Sequence, residues 1–273
     1  MKSVHVYKLD GSIDGSIELP EVFSAPYRPD VIHKAFIHTQ SRLYQPKGRD
    51  PLAGMRVSAE SRGTGLGIAR MARIKGEGTR RAGQAGGVAG VVKGRLTHPP
   101  RAEKVIVKRL NKKEKRFALY SAMAATIDKS IVKSRGHRLD DDSIELPIVV
   151  DDSIESIRKA KDLLNLLNVL KLSSDLERAK ASIKKRSGKA RMRGRRQYIA
   201  KSVLIVVRED KGIGKAAGSI PGVEVARVDR LSVIHLAPGS HPGRLCVWSK
   251  SAIEYLRSIK LPASIRMLKV SSQ

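Results

Sequence analysis

The residues with the most pronounced chemistry lie in one run, Lys184-Lys185-Arg186-Ser187-Gly188-Lys189-Ala190-Arg191-Met192-Arg193-Gly194-Arg195-Arg196. Guanidinium groups hold phosphate through two parallel N–H donors, and lysines hold it as point charges. Gly188 and Gly194 let the backbone turn and follow a groove. From Arg178 to Lys201 there are 11 Lys/Arg and no Asp/Glu. A solvated helix face has acids interleaved at i,i+4, and this window has none. The chemistry is contact with a polyanion. Aromatic residues are 4% of the chain, so backbone and shape recognition is expected rather than base reading. The candidate contacts are Lys184, Lys185, Arg186, Lys189, Arg191, Arg193, Arg195 and Arg196.

A second basic window runs from Arg42 to Arg116, with 20 Lys/Arg against 5 Asp/Glu, a net of +15. Its candidate contacts are Arg42, Lys47, Arg49, Arg56, Arg62, Arg70, Arg73, Lys75, Arg80, Arg81, Lys93, Arg95 and Arg101. Lys112, Lys113 and Arg116 follow at the start of a helix. Positive charge opposes the helix dipole there, and an RNA phosphate would account for it. The two windows carry +26 of the chain's +28, so the rest is nearly neutral. Hydrophobic residues are 41%, enough for a folded core. Nucleic acid is the first partner to consider and an anionic membrane surface the second.

Other constellations are weaker. Gly212-Ile213-Gly214-Lys215-Ala216-Ala217-Gly218 follows a strand and opens a helix, with Asp229 after the next strand. Its spacing is GxGxxxG, not the dinucleotide GxGxxG, and Glu209 and Asp210 would repel a pyrophosphate. No GxxxxGK[ST] loop occurs. Asp140-Asp141-Asp142 and Asp151-Asp152 read as a solvated turn and a helix cap. The seven histidines form no metal-binding spacing, and His137 reads as part of a basic turn. Cys246 is the sole cysteine, which excludes an internal disulfide and favours a reducing, intracellular compartment. The N-terminal residues lack an apolar signal core, and apolar runs such as 203–207 are of strand length, not membrane-span length.

The elements that must position these residues follow from periodicity. Val4–Leu9 and Ser12–Leu19 read as short edge strands around a turn at Asp10-Gly11. Asp30 caps a helix with Val31, Ile32, Ala35, Phe36, Thr39 and Leu43 on one face. Periodicity then vanishes from Gln45 to Pro100, a stretch holding 12 of the 23 glycines. A structureless loop of this length inside a compact domain is unusual. It is a disordered linker or an arm that orders on a partner, and its basic composition favours the arm. Order resumes with a helix marked by Phe117, Tyr120, Ala124 and Ile127. Leu146–Val150 is a buried strand, and Asp152 or Ser153 caps a helix reaching Leu170. A basic insertion at 179–201 precedes strands at 202–207, 223–226 and 245–248, a helix or strand at 231–236, and a helix at 250–258. This alternation predicts one α/β domain over residues 1–273, with a mostly parallel sheet flanked by helices.

Several long motifs in order resemble the ribosomal large-subunit protein L-four family. Ser58-Ala59-Glu60-Ser61-Arg62-Gly63-Thr64-Gly65 and Ile74-Lys75-Gly76-Glu77-Gly78-Thr79-Arg80-Arg81-Ala82-Gly83-Gln84 are similar to its long arm. Lys115–Ala122 is similar to the helix after it, and Gly188–Arg196 to its basic insertion. Ile220-Pro221-Gly222-Val223, Leu236–Gly239 and Gly243–Trp248 resemble its last strands. The resemblance implies a Rossmann-like body without enzymatic activity or cofactor, and an arm over residues 45–101 that threads large-subunit rRNA. It implies a tunnel-lining tip near Arg70, Arg73, Ile74, Lys75, Gly76 and Gly78. The implied partners are large-subunit rRNA, other large-subunit proteins and the nascent polypeptide, in the cytoplasm, with no homo-oligomer. The long tail of eukaryotic members is missing after Gln273, which implies an archaeal source. The alternative reading is a Rossmann-type RNA-modifying enzyme.

Overall fold

The computed structural model describes residues 3–139, 144–259 and 262. The expected Asp140–Asp142 turn lies outside them. The strands are β1 (Ser3–Tyr7), β2 (Ile13–Glu18), β3 (Ala59–Glu60), β4 (Arg73–Ile74), β5 (Ile148–Val150), β6 (Lys184–Lys185), β7 (Gln197–Tyr198), β8 (Leu204–Val207), β9 (Glu224–Arg227) and β10 (Cys246–Ser249). The helices are α1 (Pro29–Gln40), α2 (Lys112–Ala124), α3 (Lys129–Ser134), α4 (Ala160–Val169), α5 (Ser173–Ala181), α6 (Gly188–Met192), α7 (Ile213–Gly218), α8 (Val233–Leu236) and α9 (Lys250–Arg257). The chain divides into two units, one formed by Met1–Gln40 with Lys108–Gln273, the other by Ser41–Val107.

The first unit is the α/β body that the alternating pattern predicts. Its sheet runs β2-β1-β5-β10-β8-β9. Only β1 and β2 pair antiparallel, and every other pairing is parallel. The three central strands are buried throughout, and apolar but for Ser249 at the end of β10, because both of their faces are covered. Alternate side chains feed two cores. Val149, Leu204, Val206, Cys246 and Trp248 meet residues of α1, α2, α8 and α9 on one face. Ile148, Val150, Ile205, Val207 and Val247 meet α4 and α7 on the other. Trp248 is fully buried, with the Phe23 ring edge-on at 5.3 Å between centroids.

Several local expectations need correction. β1 is not an edge strand, since it pairs in parallel with β5 and leaves β2 alone at that edge. Asp30 lies inside α1 rather than capping it, and receives two hydrogen bonds from Arg28. Leu43 lies beyond α1 and is exposed. The helix expected from Asp152 to Leu170 is broken into a 3-10 turn at Asp152–Ser156 and α4, with Ile157 and Lys159 extended between them. The break follows from Glu155. Its buried carboxylate accepts hydrogen bonds from the Arg208 N–H (2.7 Å) and the Ser249 hydroxyl (3.0 Å), tying the turn to the ends of β8 and β10. Of residues 231–236, Val233–Leu236 form helix α8, and α5 packs Leu176 and Ala179 into the body where the basic insertion was expected to begin.

The Ser41–Val107 unit is built differently. Among its described residues only Ser41 and Gly86 are buried. Its regular structure is the pairing of β3 with β4, in register Ala59↔Ile74 and Glu60↔Arg73, with a further bridge from Arg73 to Ala85. Gly86 is required where it lies, since a Cβ there would come within 2.6 Å of the Ile74 side chain.

Trp248→Ala would remove the largest side chain between β10 and the α1–α2 face. We expect a loss of roughly 3–5 kcal/mol, read from urea denaturation followed by far-UV circular dichroism.

Candidate nucleic-acid interface

The basic run of the body is a hairpin. β6 and β7 pair antiparallel, Lys184 with Tyr198 and Lys185 with Gln197, and the Arg186 N–H donates to the Arg196 carbonyl at 2.9 Å. The short helix α6 makes the tip, and Gly188 and Gly194 bracket it at φ +57° and +80°, conformations that L side chains rarely adopt. The Arg186 guanidinium lies 5.6 Å from the centre of the Tyr198 ring. Of the eight candidate cations here, all but Arg186 are exposed. Among the described residues none of them has an acidic partner.

The start of α2 presents Lys112, Lys113 and Arg116, all exposed. Its first-turn acid, Glu114, pairs with Lys34 at 2.5 Å and does not neutralise them. In the Ser41–Val107 unit every candidate cation is exposed except Arg73. Arg56 pairs with Asp50 and Lys75 with Glu60. The remaining candidates there have no acidic partner among the described residues. The expected tip residues separate into two kinds. Arg73 and Ile74 are half-buried in β4, and the Arg73 guanidinium donates to the Gly83 carbonyl at 2.9 Å. Arg70, Lys75, Gly76 and Gly78 are exposed around them.

The hairpin is rooted in a buried polar cluster that sequence reasoning missed. Asp175, on α5, is fully buried. Its carboxylate accepts hydrogen bonds from Arg178 Nε (2.9 Å), the Ser202 hydroxyl (2.5 Å) and the Arg138 N–H (3.1 Å). His137 Nδ1 lies 3.1 Å from each of its oxygens. The Leu245 N–H donates to His137 Nε2 at 3.3 Å, so the ring proton belongs on Nδ1 and is donated to Asp175. Arg178 also donates to the Lys201 carbonyl, and the Ala200 N–H donates to the Ser182 hydroxyl, closing the foot of the hairpin. Arg244 is fully buried beside it and donates to the Ser202 and His235 carbonyls and to Glu224. The participants are scattered from position 137 to 245, with no local spacing to reveal them.

The candidate nucleotide turn is occupied by the protein itself. Asp210 Oδ1 accepts the N–H groups of Gly212 (3.0 Å) and Gly214 (3.1 Å) at the start of α7. A phosphate would have to displace that carboxylate. Cys246 is buried and its thiol is pushed up to about 12, which leaves it without nucleophilic character. No group of three metal-ligating side chains occurs among the described residues, and no described helix is long and apolar enough to cross a membrane.

The body is an α/β protein whose described surface carries many exposed cations without acidic partners. The chain belongs to the Ribosomal protein L4/L1 family, whose model matches residues 17–259. It is 46% identical over 258 residues to the large ribosomal subunit protein uL4 of Sulfurisphaera tokodaii, covering 94% of each chain. The identity to uL4 of Methanococcus vannielii is also 46%, over 257 residues, 93% of this chain and 98% of that one. For uL4 of Methanopyrus kandleri it is 46% over 251 residues, 92% and 96%. These relatives are archaeal, and the chain is of the archaeal type.

Burial holds His137 below its ordinary value, outweighing the pull of Asp175. Asp175 is held below the carboxylate range by its donors, which outweigh its burial. Both shifts point the same way. A depressed histidine contributes stability above its unfolded value near 6.5 that is lost as pH falls below it. A depressed carboxylate contributes above its unfolded value near 3.9, a contribution lost at still lower pH. The melting temperature should therefore fall as pH is lowered from about 7 to about 5, and His137→Asn should flatten that slope.

Proposed function

We propose that the protein is a structural constituent of the large ribosomal subunit, without enzymatic activity, that binds the subunit's rRNA and works with its neighbouring proteins in the cytoplasm. The observation that carries this reading, beside the family, is the exposure of 22 of the 24 candidate cations, nearly all unpaired. Exposed cations without acidic partners are matched to phosphates, whose contacts release counterions and supply affinity. The body's Rossmann-like character rests on its layers, helices on both faces of a mostly parallel sheet. Its nucleotide chemistry has no seat, because Asp210 fills the turn where a phosphate would bind.

The Ser41–Val107 unit is read as the long arm, with residues 45–101 laid into rRNA. Two features support this. It has almost no buried residues, and it carries 12 of the 19 exposed large apolar side chains among the described residues. A segment with this surface gains its contacts from a partner. The region from Arg70 to Gly78 is read as the tip beside the nascent polypeptide. Arg70, Lys75, Gly76 and Gly78 face outward from the scaffold that Arg73 and Ile74 help to form. The protein acts as one copy per subunit rather than as a homo-oligomer.

Binding to a large-subunit rRNA transcript should weaken steeply with salt. Changing Arg191, Arg193, Arg195 and Arg196 together to Gln should lower the slope of log K against log salt by roughly 3–4, about one per phosphate contact. Filter binding between 50 and 300 mM KCl (about that range) measures it, and an unchanged slope would remove the hairpin from the interface.

A further inference from the structure

Beside the foot of the basic hairpin lies a cleft of about 370 Å³ whose residues the reading above leaves unused. Its apolar walls come from Ile183 and Ile199 on the hairpin side and Pro221 on the turn between α7 and β9. Gln197, Ser219 and Lys201 supply its polar lining. Ile183 is 37% exposed, so the apolar surface is open to solvent.

The walls are fixed in place. The Gly222 carbonyl accepts the Ser202 N–H at 2.8 Å, joining the α7–β9 turn to the strand that leaves the hairpin. Gly222 takes φ +82°, and a Cβ on it would meet the Ala200 carbonyl oxygen at 2.6 Å. Lys201 pairs with Glu224, so the one acid at the cleft is neutralised from within the wall. Arg244 holds the other oxygen of Glu224 at 2.6 Å. The cleft is thus preformed, apolar on its faces and polar at its margins, and it adjoins a window of 11 cations without an acid.

We propose that this cleft receives one unpaired nucleobase of the RNA held by the hairpin. The inference rests on the rRNA-binding reading and deepens it. The phosphates that the hairpin attracts carry bases of their own, and a base extruded from its helix needs apolar cover for its faces. Ile183, Ile199 and Pro221 offer that cover where aromatic platforms are missing. Gln197 offers an amide that can both donate to and accept from a base edge, and Ser219 adds a hydroxyl. A protein that otherwise grips phosphates would here touch one base.

Gly218 provides the test, because it lines the cleft and a Cβ built on it meets nothing within 4 Å. Gly218→Leu adds a bulky side chain at the cleft wall without strain at its backbone, and Gln197→Ala removes the edge contact. The full chain is bound to a large-subunit rRNA transcript and probed with dimethyl sulfate for bases and hydroxyl radicals for the backbone. The expected result is an unpaired base protected by the wild type and released by both variants, with backbone protection and salt slope retained. Affinity should fall about tenfold in Gly218→Leu. Circular dichroism establishes that each variant is folded, and if Gly218→Leu is not, Gln197→Ala decides alone. Base protection that survives in the folded variants overturns the proposal. So does backbone protection by the wild type with no protected base, or a cleft that becomes covered only when other subunit proteins are added. Loss of backbone protection by the wild type itself would instead overturn the rRNA-binding reading.

Discussion

The structure of the body near its basic hairpin depends on one buried carboxylate. Asp175 has no access to water, so its charge must be satisfied by the groups around it. Arg178 and Ser202 supply donors from the two chain segments that enter and leave the hairpin, and His137 supplies one from the loop after α3. Removing one partner from such a cluster strands charge in the interior, which costs far more than a surface ion pair contributes. The hairpin therefore leaves the body from a fixed root. Its own cations need no internal partners, and their charge remains available to a ligand.

The two units solve the problem of excess charge differently. The body carries its hairpin on a core with apolar residues on both faces of the sheet. The Ser41–Val107 unit is ordered by the short β3–β4 pairing, turn hydrogen bonds and surface ion pairs, with almost no buried side chains. A pair of two-residue strands cannot offset the entropy of fixing so long a segment. On the proposed reading, phosphate contacts and the burial of its exposed Leu, Val and Met side chains supply the difference.

Much of the fold was legible in the sequence. The all-apolar runs at 148–150 and 204–207 could only be strands covered on both faces, and the faces of α2 and α9 follow helical spacing. What failed to show were effects of tertiary contact. Glu155 looks like an ordinary helix residue, yet its bonds to β8 and β10 stop the helix there. Asp175, His137 and Arg244 look like surface charges because nothing local marks them as buried. The site was legible as composition, since 11 cations without an acid have few uses. Its hairpin form was not, because two-residue strands of Lys, Gln and Tyr carry no alternation.

The closed foot of the hairpin also bears on how such a protein can change over time. Ser182 and Ala200 are joined by one hydrogen bond, and the paired strands and helical tip of the hairpin lie beyond that joint. Residues can be added or deleted beyond it with little effect on the sheet, since lengthening a loop costs only slowly growing entropy. The body can stay constant while the reach of the hairpin is adjusted to the surface it meets. Length variation among relatives is then expected to collect above the joint, and almost none of it below.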